Sequence, residues 1–324
     1  MRIFRHYDRI PPEARGAVVA LGNFDGLHRG HRGVIAEAGR RARASGAPLA
    51  VLTFEPHPRD YFQPSTVPFR LTPFRAKMRL LEEIGVDAVF NLRFGPALAG
   101  QMAEAFVATV LVGGLAISQL VVGPGFVFGK GRGGDAALLH DMAARQGFGF
   151  TELEAVRGGG QGAGTMFAST DIRVLIRRGQ VDLAARALGR IWEIEARVQH
   201  GESRGEALGF PTANMPLDGV LHPGPGIYAV RVGLADGGAV TWHDAAAYIG
   251  TRPTFAGETM LLEVYLFDYS ADLYDRRLRV AFVGLVRKDQ TFDSPHNLKV
   301  QMAADCERAR EILATARQRP KEIP

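Results

Sequence analysis

One strand-to-helix turn concentrates the residues of this chain that could do chemistry. It reads Gly-Asn-Phe-Asp-Gly-Leu-His-Arg-Gly-His over residues 22–31 and follows an apolar run. Glycines such as Gly22 and Gly26 let a backbone approach a ligand closely, and a helix N-terminus offers unpaired N–H groups and a positive partial charge. The imidazoles of His28 and His31 could donate hydrogen bonds to phosphoryl oxygens as negative charge builds on them. The turn therefore predicts a site for a nucleotide phosphate chain. The alternative is an ordinary turn whose histidines only cap the helix.

Two further segments of the first half carry side chains suited to phosphates. His57 lies between two prolines, which stiffen its loop and fix the direction of its ring, although the pattern fits a structural role equally well. The glycine-rich segment 123–134 carries Lys130, but its spacing is wrong for a P-loop and Gly131 stands where Ser or Thr would be. We interpret this segment as a lid, with a solvated surface loop as the alternative.

A helix start at residues 169–173 forms the last such group. Ser169 and Thr170 offer hydroxyls, the first turn offers N–H groups, and Arg173 offers a guanidinium. Together they could hold departing phosphates. Capped helix starts are common, so this group is weak evidence by itself.

The composition limits the class of protein. A length of 324 residues is enough for two domains, and 46% hydrophobic residues is ordinary for a globular protein. No apolar stretch approaches the roughly 18 residues of a membrane span, and the N-terminus lacks the apolar core of a signal peptide. We therefore expect a cytoplasmic protein without a membrane partner.

The lone Cys306 excludes an intrachain disulfide and a cysteine-based zinc site. The net charge is +5, and the basic residues are scattered along the sequence, which favours phosphorylated small molecules over nucleic acid as partners. Nothing in the sequence indicates an oligomeric state.

Strands and helices alternate through the first half of the chain. Apolar runs predict strands over residues 17–21, 48–54, 86–91, 119–122 and 148–153. Helical spacing predicts helices over residues 31–45, 73–84, 97–111, 136–146, 169–177 and 181–188. This alternation predicts an α/β fold with a doubly wound, Rossmann-like parallel sheet, in which ligands bind at the carboxyl ends of the strands.

The pattern changes after Gly189. Strand-like runs separated by Gly-Pro and Asp-Gly pairs cover residues 191–200, 226–234, 242–249, 261–267 and 278–286. They predict an antiparallel barrel or sandwich. A closing helix follows over residues 296–317, with an expected packing face of Leu298, Met302, Ile312 and Leu313. We expect domains at 1–186 and 187–324.

Two sets of motifs, in the same order, make the chain resemble the bacterial bifunctional riboflavin kinase/FAD synthetases. The histidine turn, the lid and Ser-Thr-Asp-Ile-Arg at 169–173 resemble the nucleotidyltransferase domain of that family. Gly-Phe-Pro-Thr-Ala-Asn at 209–214 is similar to the signature of riboflavin kinases. Further matching segments follow at 226–228, 249–255, 261–264, 272–274 and 287–292.

The resemblance implies two reactions and a β-barrel for the second domain. The C-terminal barrel would transfer a phosphoryl group from ATP to the ribityl 5′-hydroxyl of riboflavin, giving FMN. The N-terminal domain would transfer AMP from a second ATP to FMN, giving FAD and pyrophosphate. Mg²⁺ is the implied metal, ATP the co-substrate, and FMN and FAD the products.

In the kinase domain, the resemblance implies roles for residues that also suit the chemistry. The Thr212 hydroxyl and the Asn214 carbonyl are hard oxygen ligands suited to Mg²⁺ beside ATP, and Pro211 stiffens their turn. Glu263 lies in an apolar strand, where it could accept the proton of the attacking hydroxyl. The alternative for Glu263 is an exposed strand carboxylate. The resemblance also implies that Gly201, Arg204 and Gly205 form a loop over the nucleotide. It implies that Arg287 guards the flavin pocket.

In the nucleotidyltransferase domain, the FMN phosphate would attack the α-phosphorus of ATP in line. His28 and His31 would stabilise the pentavalent arrangement, while Ser169, Thr170 and Arg173 would hold the leaving pyrophosphate. The remaining expected contacts of nucleotide or flavin are Gly22, Asn23, Phe24, Asp25, Gly26, His57 and Lys130.

The chain departs from the family pattern at three positions. Gly125 stands where the lid usually has Asp or Asn, Ala168 replaces one of two serines, and Tyr248 stands where Asn is frequent. One lost hydrogen bond to a charged group is worth about 1.5–3 kcal/mol, roughly ten- to a hundredfold in rate. Two alternatives follow: an active riboflavin kinase with a weakened or inactive adenylyltransferase domain, and a non-enzymatic flavin- or nucleic-acid-binding regulator.

Overall fold

The computed structural model describes residues 1–64, 67–154, 168–200, 209–217, 219–236, 239–254 and 257–318. The chain divides into two compact units. The first unit comprises Met1–Thr66 and Thr72–Ala168, and the second comprises Val67–Leu71 and Ser169–Pro324. Gly201, Arg204 and Gly205, which the sequence places over the nucleotide, lie outside the described residues.

The first unit is built on a six-stranded parallel sheet. Its strands are β1 (Arg2–Phe4), β2 (Val18–Leu21), β3 (Leu49–Glu55), β4 (Ala88–Arg93), β5 (Gln119–Val122) and β6 (Gly149–Glu152). Alternate residues of a strand face opposite sides of a sheet. Val19 and Leu21 accordingly pack into one apolar cluster, whereas Val18 and Ala20 pack into another on the opposite face. Burial on both faces explains the continuous apolar runs and confirms the doubly wound sheet.

The order of the strands places a crevice beside the first motif. The sheet runs β1-β4-β3-β2-β5-β6, so the chain leaves β2 toward β3 on one side and returns to pair with β5 on the other. Ligands of open α/β sheets bind where the strand order reverses, outside the carboxyl ends of the strands. The turn that begins at Gly22 lies at this point.

Helices flank the first sheet. They are α1 (Arg29–Ser45), α2 (Pro58–Phe62), α3 (Phe74–Glu83), α4 (Pro96–Ala99), α5 (Ala103–Phe106) and α6 (Ala136–Gln146). The helix expected over 97–111 is instead broken after α4, which ends at Gly100, and continues beyond α5 as a π-helix over Val107–Gly114. A Cβ at Gly114 would lie 2.7 Å from Tyr7, so glycine at this position lets the backbone approach Tyr7 closely.

The second unit is an antiparallel sheet that curls into a barrel. Its strands are β7 (Trp192–Arg197), β8 (Ala213–Pro216), β9 (Gly226–Asp236), β10 (Ala239–Thr254), β11 (Gly257–Leu266) and β12 (Arg277–Lys288). They follow the order β7-β12-β9-β10-β11-β8. The Gln199 N–H donates to the Asn214 carbonyl at 2.8 Å, which joins the chain beyond β7 to the edge strand β8. This closure confirms the barrel fold class.

Two helices that the sequence assigns to the first domain pack with the barrel. They are α7 (Ser169–Arg177) and α8 (Val181–Leu188), and their apolar residues belong to the core of the second unit. Leu71 joins the same core, and Trp192 Nε1 donates to its carbonyl at 3.0 Å. By packing, the second unit therefore begins near Ser169, earlier than the boundary expected at 186/187.

A last helix, α9 (Pro295–Gln318), covers the outer face of the barrel sheet. Ala309 and Leu313 are buried there against Ala229, Ala246 and Phe267. Leu313 and the half-buried Ile312 thus lie on the expected packing face. Across the described parts of the chain, no helix combines the length and hydrophobicity needed to cross a membrane.

Candidate functional site

The backbone of the turn after β2 is held in an uncommon conformation. Phe24 and Leu27 have φ angles of 48° and 41°, in the left-handed region that non-glycine residues rarely occupy. The Phe24 side chain is buried and folds back under Gly22, where a Cβ would lie 3.1 Å from the ring. Close packing against the Phe24 ring therefore favours glycine at position 22.

The two histidines lie together at the start of α1. His28 is 5% exposed and is the N-cap of the helix, because its Nδ1 accepts a hydrogen bond from the His31 backbone N–H at 3.3 Å. The two rings stack with centroids 3.7 Å apart. A neutral imidazole that accepts at Nδ1 carries its proton on Nε2. The capping role and the donor role of His28 are therefore compatible, since the cap selects the tautomer with a donor at Nε2.

Asp25 holds the shape of this turn. Its buried carboxylate accepts hydrogen bonds from the Thr72 N–H at 2.9 Å and the Thr72 hydroxyl at 3.2 Å. The same hydroxyl accepts from the Gly26 N–H at 2.7 Å. These contacts connect the turn to the segment that precedes α3, so the described contacts of Asp25 are structural.

A buried lysine lies beneath the same turn, and the sequence reasoning did not identify it. Lys77 on α3 is 1% exposed, and its ammonium donates to the Asn23 carbonyl at 2.9 Å. The Thr53 hydroxyl donates to that carbonyl at 3.3 Å. A signal was available, because Lys77 shares a helix face with Leu81, four residues on, and a charged residue on an apolar face must find a partner.

An aromatic cavity of about 520 Å³ opens beside Gly22 and Asn23. His57 and Arg132 also line it, and His57 caps α2 by accepting the Arg59 N–H at its Nδ1. The rings in its wall come from β3, the end of α2, the residue after β4, the end of α5 and the lid: Phe54, Phe62, Phe94, Phe106, Phe126 and Phe128. The segment predicted as a lid therefore contributes aromatic rings to a cavity wall, while Lys130 is exposed and is not among the lining residues.

The predicted pyrophosphate group belongs to the second unit. Ser169 opens α7 and Thr170 is exposed, whereas Arg173 is 8% exposed. The Arg173 guanidinium donates from Nε to the Phe69 carbonyl at 2.7 Å and lies over the Phe69 ring. These described contacts secure the segment Val67–Leu71 within the second unit.

A row of polar residues crosses the barrel sheet. Glu263 on β11 pairs in register with Asn214 on β8 and with Tyr248 on β10. Its neighbours Leu262 and Val264 are fully buried inside the barrel, so the Glu263 side chain lies on the opposite, outer face. The row brings the predicted base next to a predicted metal ligand.

A second cavity, of about 320 Å³, lies between this outer face and α9. Three of the predicted kinase residues, Thr212, Glu263 and Arg287, line it together, and Leu298 and Met302 of α9 line it as well. Asn214 adjoins it through its pairing with Glu263, while Pro211 is exposed at the entry to β8.

Tyr248 contributes a neutral donor to this cavity. Its hydroxyl donates to Asp289 Oδ2 at 3.2 Å, and a Cβ at Gly250 would overlap that hydroxyl. Burial, the neighbouring Asp289 and, more weakly, Glu263 raise the pKa of Tyr248 to about 12. Tyr248 is therefore protonated throughout the neutral range. Arg287 opposes this rise in pKa.

Arg287 is held by an acidic residue of α9. Its Nε and Nη2 donate to the Asp305 carboxylate at 2.8–3.1 Å, and Asp305 is 4% exposed. Gln301 donates to the same carboxylate at 2.9 Å. The Arg287 guanidinium also lies over the Phe292 ring. Arg287 thus forms a rigid part of the cavity wall.

The donor set of the second cavity fits a hard cation carried with a nucleotide. Mg²⁺ prefers oxygen ligands and usually keeps waters and substrate phosphates in its coordination shell. Thr212 offers a hydroxyl, and the Asn214 amide donates its N–H to the Thr212 carbonyl at 3.3 Å, which leaves Oδ1 as an acceptor. In the described ranges, no cluster of three or more His, Cys, Asp or Glu side chains could hold a metal by itself.

Comparisons with known proteins match both units. A family model described as FAD synthetase matches residues 10–165, and one described as riboflavin kinase matches residues 188–313. A bifunctional riboflavin kinase/FMN adenylyltransferase of Pseudomonas fluorescens is 40% identical over 320 residues, covering 98% of this chain and 100% of that protein. The protein of that name from Escherichia coli (strain K12) is 39% identical and covers 97% of each chain.

A solved structure shares the architecture. A protein described as a macrolide-efflux protein from Streptococcus pneumoniae superimposes with a TM-score of 0.84 at 28% identity. The match covers 96% of this chain and 99% of that one.

Proposed function

Because the chain belongs to the bifunctional riboflavin kinase/FMN adenylyltransferase family, we propose that it makes FMN and then FAD in two ATP-dependent reactions. The second unit phosphorylates riboflavin, and the first unit adenylylates FMN. Riboflavin, FMN and ATP are the small-molecule substrates. The observation that carries this proposal is the full-length match, which covers both halves together with both cavities.

In the first unit, the FMN phosphate attacks the α-phosphorus of ATP and the bond to pyrophosphate breaks. Charge develops on the α-phosphoryl oxygens, and a donor placed beforehand stabilises that charge. The cap between His28 and the His31 N–H holds the His28 ring with its proton on Nε2, ready to donate. The aromatic cavity beside Asn23 has the flat, apolar walls that an isoalloxazine ring requires.

The leaving group in the first reaction is pyrophosphate. Ser169, Thr170 and Arg173 are its proposed contacts, because a helix start supplies N–H donors and a guanidinium binds phosphate in a bidentate manner. Lys130 of the lid is proposed to contact phosphate as an exposed cation.

In the second unit, the ribityl 5′-hydroxyl attacks the γ-phosphorus of ATP, the bond from that phosphorus to ADP breaks and ADP leaves, while Glu263 accepts the hydroxyl proton. When bound, Mg²⁺ would supply positive charge that offsets the negative charge of the phosphates. Thr212 and Asn214 would hold it, since their oxygens adjoin Glu263 on the sheet. Arg287 and Tyr248 shape the wall of the cavity on the far side of Glu263.

A kinase with a weakened adenylyltransferase is not favoured. The relatives that match over their full length are named for both activities. At Gly125, the departure in the lid, the described polar contact is made by the backbone, whose N–H donates to Glu152 Oε1 at 2.9 Å, and it does not replace an Asp or Asn side chain. The cytoplasmic location, and the exclusion of nucleic acid as a partner, stay predictions from the sequence.

The products of the purified chain decide between these functions. The chain is incubated with riboflavin, ATP and Mg²⁺, and the flavins are separated by chromatography. We expect FMN to appear first and FAD to follow. FMN alone would favour the kinase with an inactive first unit, and the absence of both would refute an enzymatic role.

Substitutions at one residue of each site test the division of labour. We expect His28→Ala to abolish FAD formation from supplied FMN and to leave FMN formation unchanged, because it removes the donor of the first unit alone. We expect Glu263→Ala to abolish FMN formation and to spare FAD formation from supplied FMN. Each variant's retained reaction shows that the unit without the substitution is intact, and thermal unfolding followed by circular dichroism checks the unit that carries it. Loss of both reactions in a folded variant contradicts the two-site proposal.

A further inference from the structure

Lys77 is buried, and a buried charge needs hydrogen bonds from the protein in place of water. It lies on α3 with 1% of its surface exposed, whereas the ammonium of a lysine normally stays in water. Taking an ammonium out of water is strongly unfavourable unless hydrogen bonds replace the lost hydration. The contacts that hold Lys77 are therefore informative about its role.

The described contacts of Lys77 lie at and beside the Asn23 carbonyl, in the turn over residues 22–31. The Lys77 ammonium donates to the Asn23 carbonyl oxygen at 2.9 Å and lies 3.5 Å from the Thr53 hydroxyl oxygen. The Thr53 hydroxyl donates to the same carbonyl at 3.3 Å. Two donors from different elements thus fix the direction of the Asn23 carbonyl.

The direction of this carbonyl determines the direction of the next N–H. In a trans peptide, the C=O of one residue and the N–H of the following residue point opposite ways. With the Asn23 carbonyl directed inward to Lys77 and Thr53, the Phe24 N–H points outward. Phe24 itself is held at a φ of 48°, a conformation that persists only where its surroundings enforce it.

The same short segment holds the other end of the turn. Thr72, five residues before Lys77, accepts the Gly26 N–H at 2.7 Å and donates to Asp25. The start of α3 therefore fixes the turn at Asn23 and again at Gly26. Both points lie between β2 and the histidines of α1.

We infer that Lys77 is a positioning residue for adenylyl transfer. By holding the Asn23 carbonyl inward, it directs the Phe24 N–H toward the phosphates of ATP and places a positive charge beneath them. The inference rests on the proposed function of the first unit. Lys77 does not touch substrate in this account; it acts through the backbone of Asn23.

Lys77→Met tests the inference, because methionine fills a similar volume without a donor or a charge. We expect kcat/KM for ATP in FAD synthesis to fall about ten- to a hundredfold, the effect of losing one charge-assisted hydrogen bond at the site. The KM for FMN is expected to change less than about twofold, since Lys77 is not among the residues that line the aromatic cavity and the rings in its wall are unchanged. A general structural defect would change both parameters.

Two further variants keep the test decisive. Arg79→Met removes a cation from the same helix, where it pairs with Glu83 near the surface, and is the matched control. Thr53→Val removes the second donor to Asn23 with little change in shape, and we expect it to lower the same kcat/KM for ATP by a smaller factor. If Lys77→Met fails to fold, Thr53→Val decides alone.

The outcomes separate the inference from the proposed function. Lys77→Met and Thr53→Val proteins with wild-type kcat/KM for ATP would overturn the inference and leave the function intact. Equal losses in the parameters for ATP and FMN would also overturn it. A wild-type chain that makes no FAD would overturn the proposed function and the inference together.

Discussion

His28 performs two tasks with the two nitrogens of one ring. Its Nδ1 accepts from the His31 N–H and begins α1, while this acceptor role places the proton on Nε2. A capping side chain is typically worth about 1 kcal/mol to a helix. The same hydrogen bond therefore contributes to stability and, in the proposed adenylyl transfer, prepares the donor.

Tyr228 is a buried tyrosine of the barrel, and burial changes its acidity. Tyr228 is 1% exposed, its hydroxyl donates to the Gly224 carbonyl at 2.6 Å, and burial raises its pKa to about 12. In the unfolded chain the phenol ionises near the ordinary tyrosine pKa of 10.0. Because the folded state holds its proton longer, the unfolded state gains from ionisation first.

We therefore expect the free energy of unfolding to fall as the pH rises from about 10 to about 12, with a contribution from Tyr228. Urea unfolding at a series of alkaline pH values measures it. Tyr228→Phe removes the titrating group and is expected to flatten this dependence, although it lowers stability at neutral pH by losing one hydrogen bond. Tyr274→Phe changes an exposed ring and is the control. An unchanged slope in Tyr228→Phe would contradict the prediction.

At the scale of single residues, the sequence predicts those site residues whose partners lie close to them along the chain. His28 and His31 are three residues apart, and Thr212 and Asn214 are two apart, so a short motif contains each pair. Lys77 lies 54 residues from Asn23, and Thr72 lies 46 residues from Gly26. Only the tertiary fold brings those pairs together, which is why the motifs do not include them.

The helix α9 is attached to the barrel through an ion pair as well as through its apolar face. Arg287 of β12 and Asp305 of α9 form a bidentate pair in the wall of the second cavity. Removing one partner of a buried pair leaves the other charge uncompensated. The pair therefore couples the position of α9 to the shape of the cavity.

We expect Asp305→Asn to lower the free energy of unfolding by about 3 kcal/mol, the lower end for a broken buried pair. We also expect it to raise the KM for riboflavin, because Arg287 and α9 line the same cavity. Thermal unfolding and FMN-formation kinetics are the measurements, with FAD formation from supplied FMN as the internal reference. Asp268→Asn breaks the exposed pair of Arg310 on the same helix and is expected to change stability by less than about 1 kcal/mol. Equal effects of the two substitutions would contradict this account.

Several helices and strands with a clear apolar pattern lie where the sequence predicts them. The predicted bounds of α6, α7, α8 and β5 coincide with the observed ones. The short strands β1 and β8 are absent from the sequence prediction, because they lack the run of consecutive apolar residues that marks the equally short β5. β8 is also the segment that carries Asn214, so its functional motif is recognisable where its secondary structure is not.

The division of the whole chain by packing differs from the division by motifs. Ile172, Ile176, Val181 and Ala184 precede the predicted boundary but are buried in the core of the barrel unit. Burying one large aliphatic side chain contributes about 1.5–3 kcal/mol. Sequence motifs mark where chemistry occurs and carry no information about which core a connecting helix joins.

We expect a fragment of residues 187–324 to be unfolded or aggregated, and a fragment of residues 169–324 to be more stable. The shorter fragment lacks three large aliphatic residues worth roughly 5 kcal/mol or more in total, which is comparable to the whole stability of a small domain. Circular dichroism during heating measures the difference. A shorter fragment with the same midpoint of unfolding as the longer one would contradict the assignment of α7 and α8 to the barrel.

The segment Val67–Leu71 has a consequence for synthesis on the ribosome. Leu71 is buried beside Trp192, which follows it by 121 residues. At about 5–20 residues per second, Leu71 is made roughly 6–24 s before its partner. During that interval the nascent chain carries Phe69 and Leu71 without the core that will bury them, and a chaperone that binds short apolar peptides would find them there.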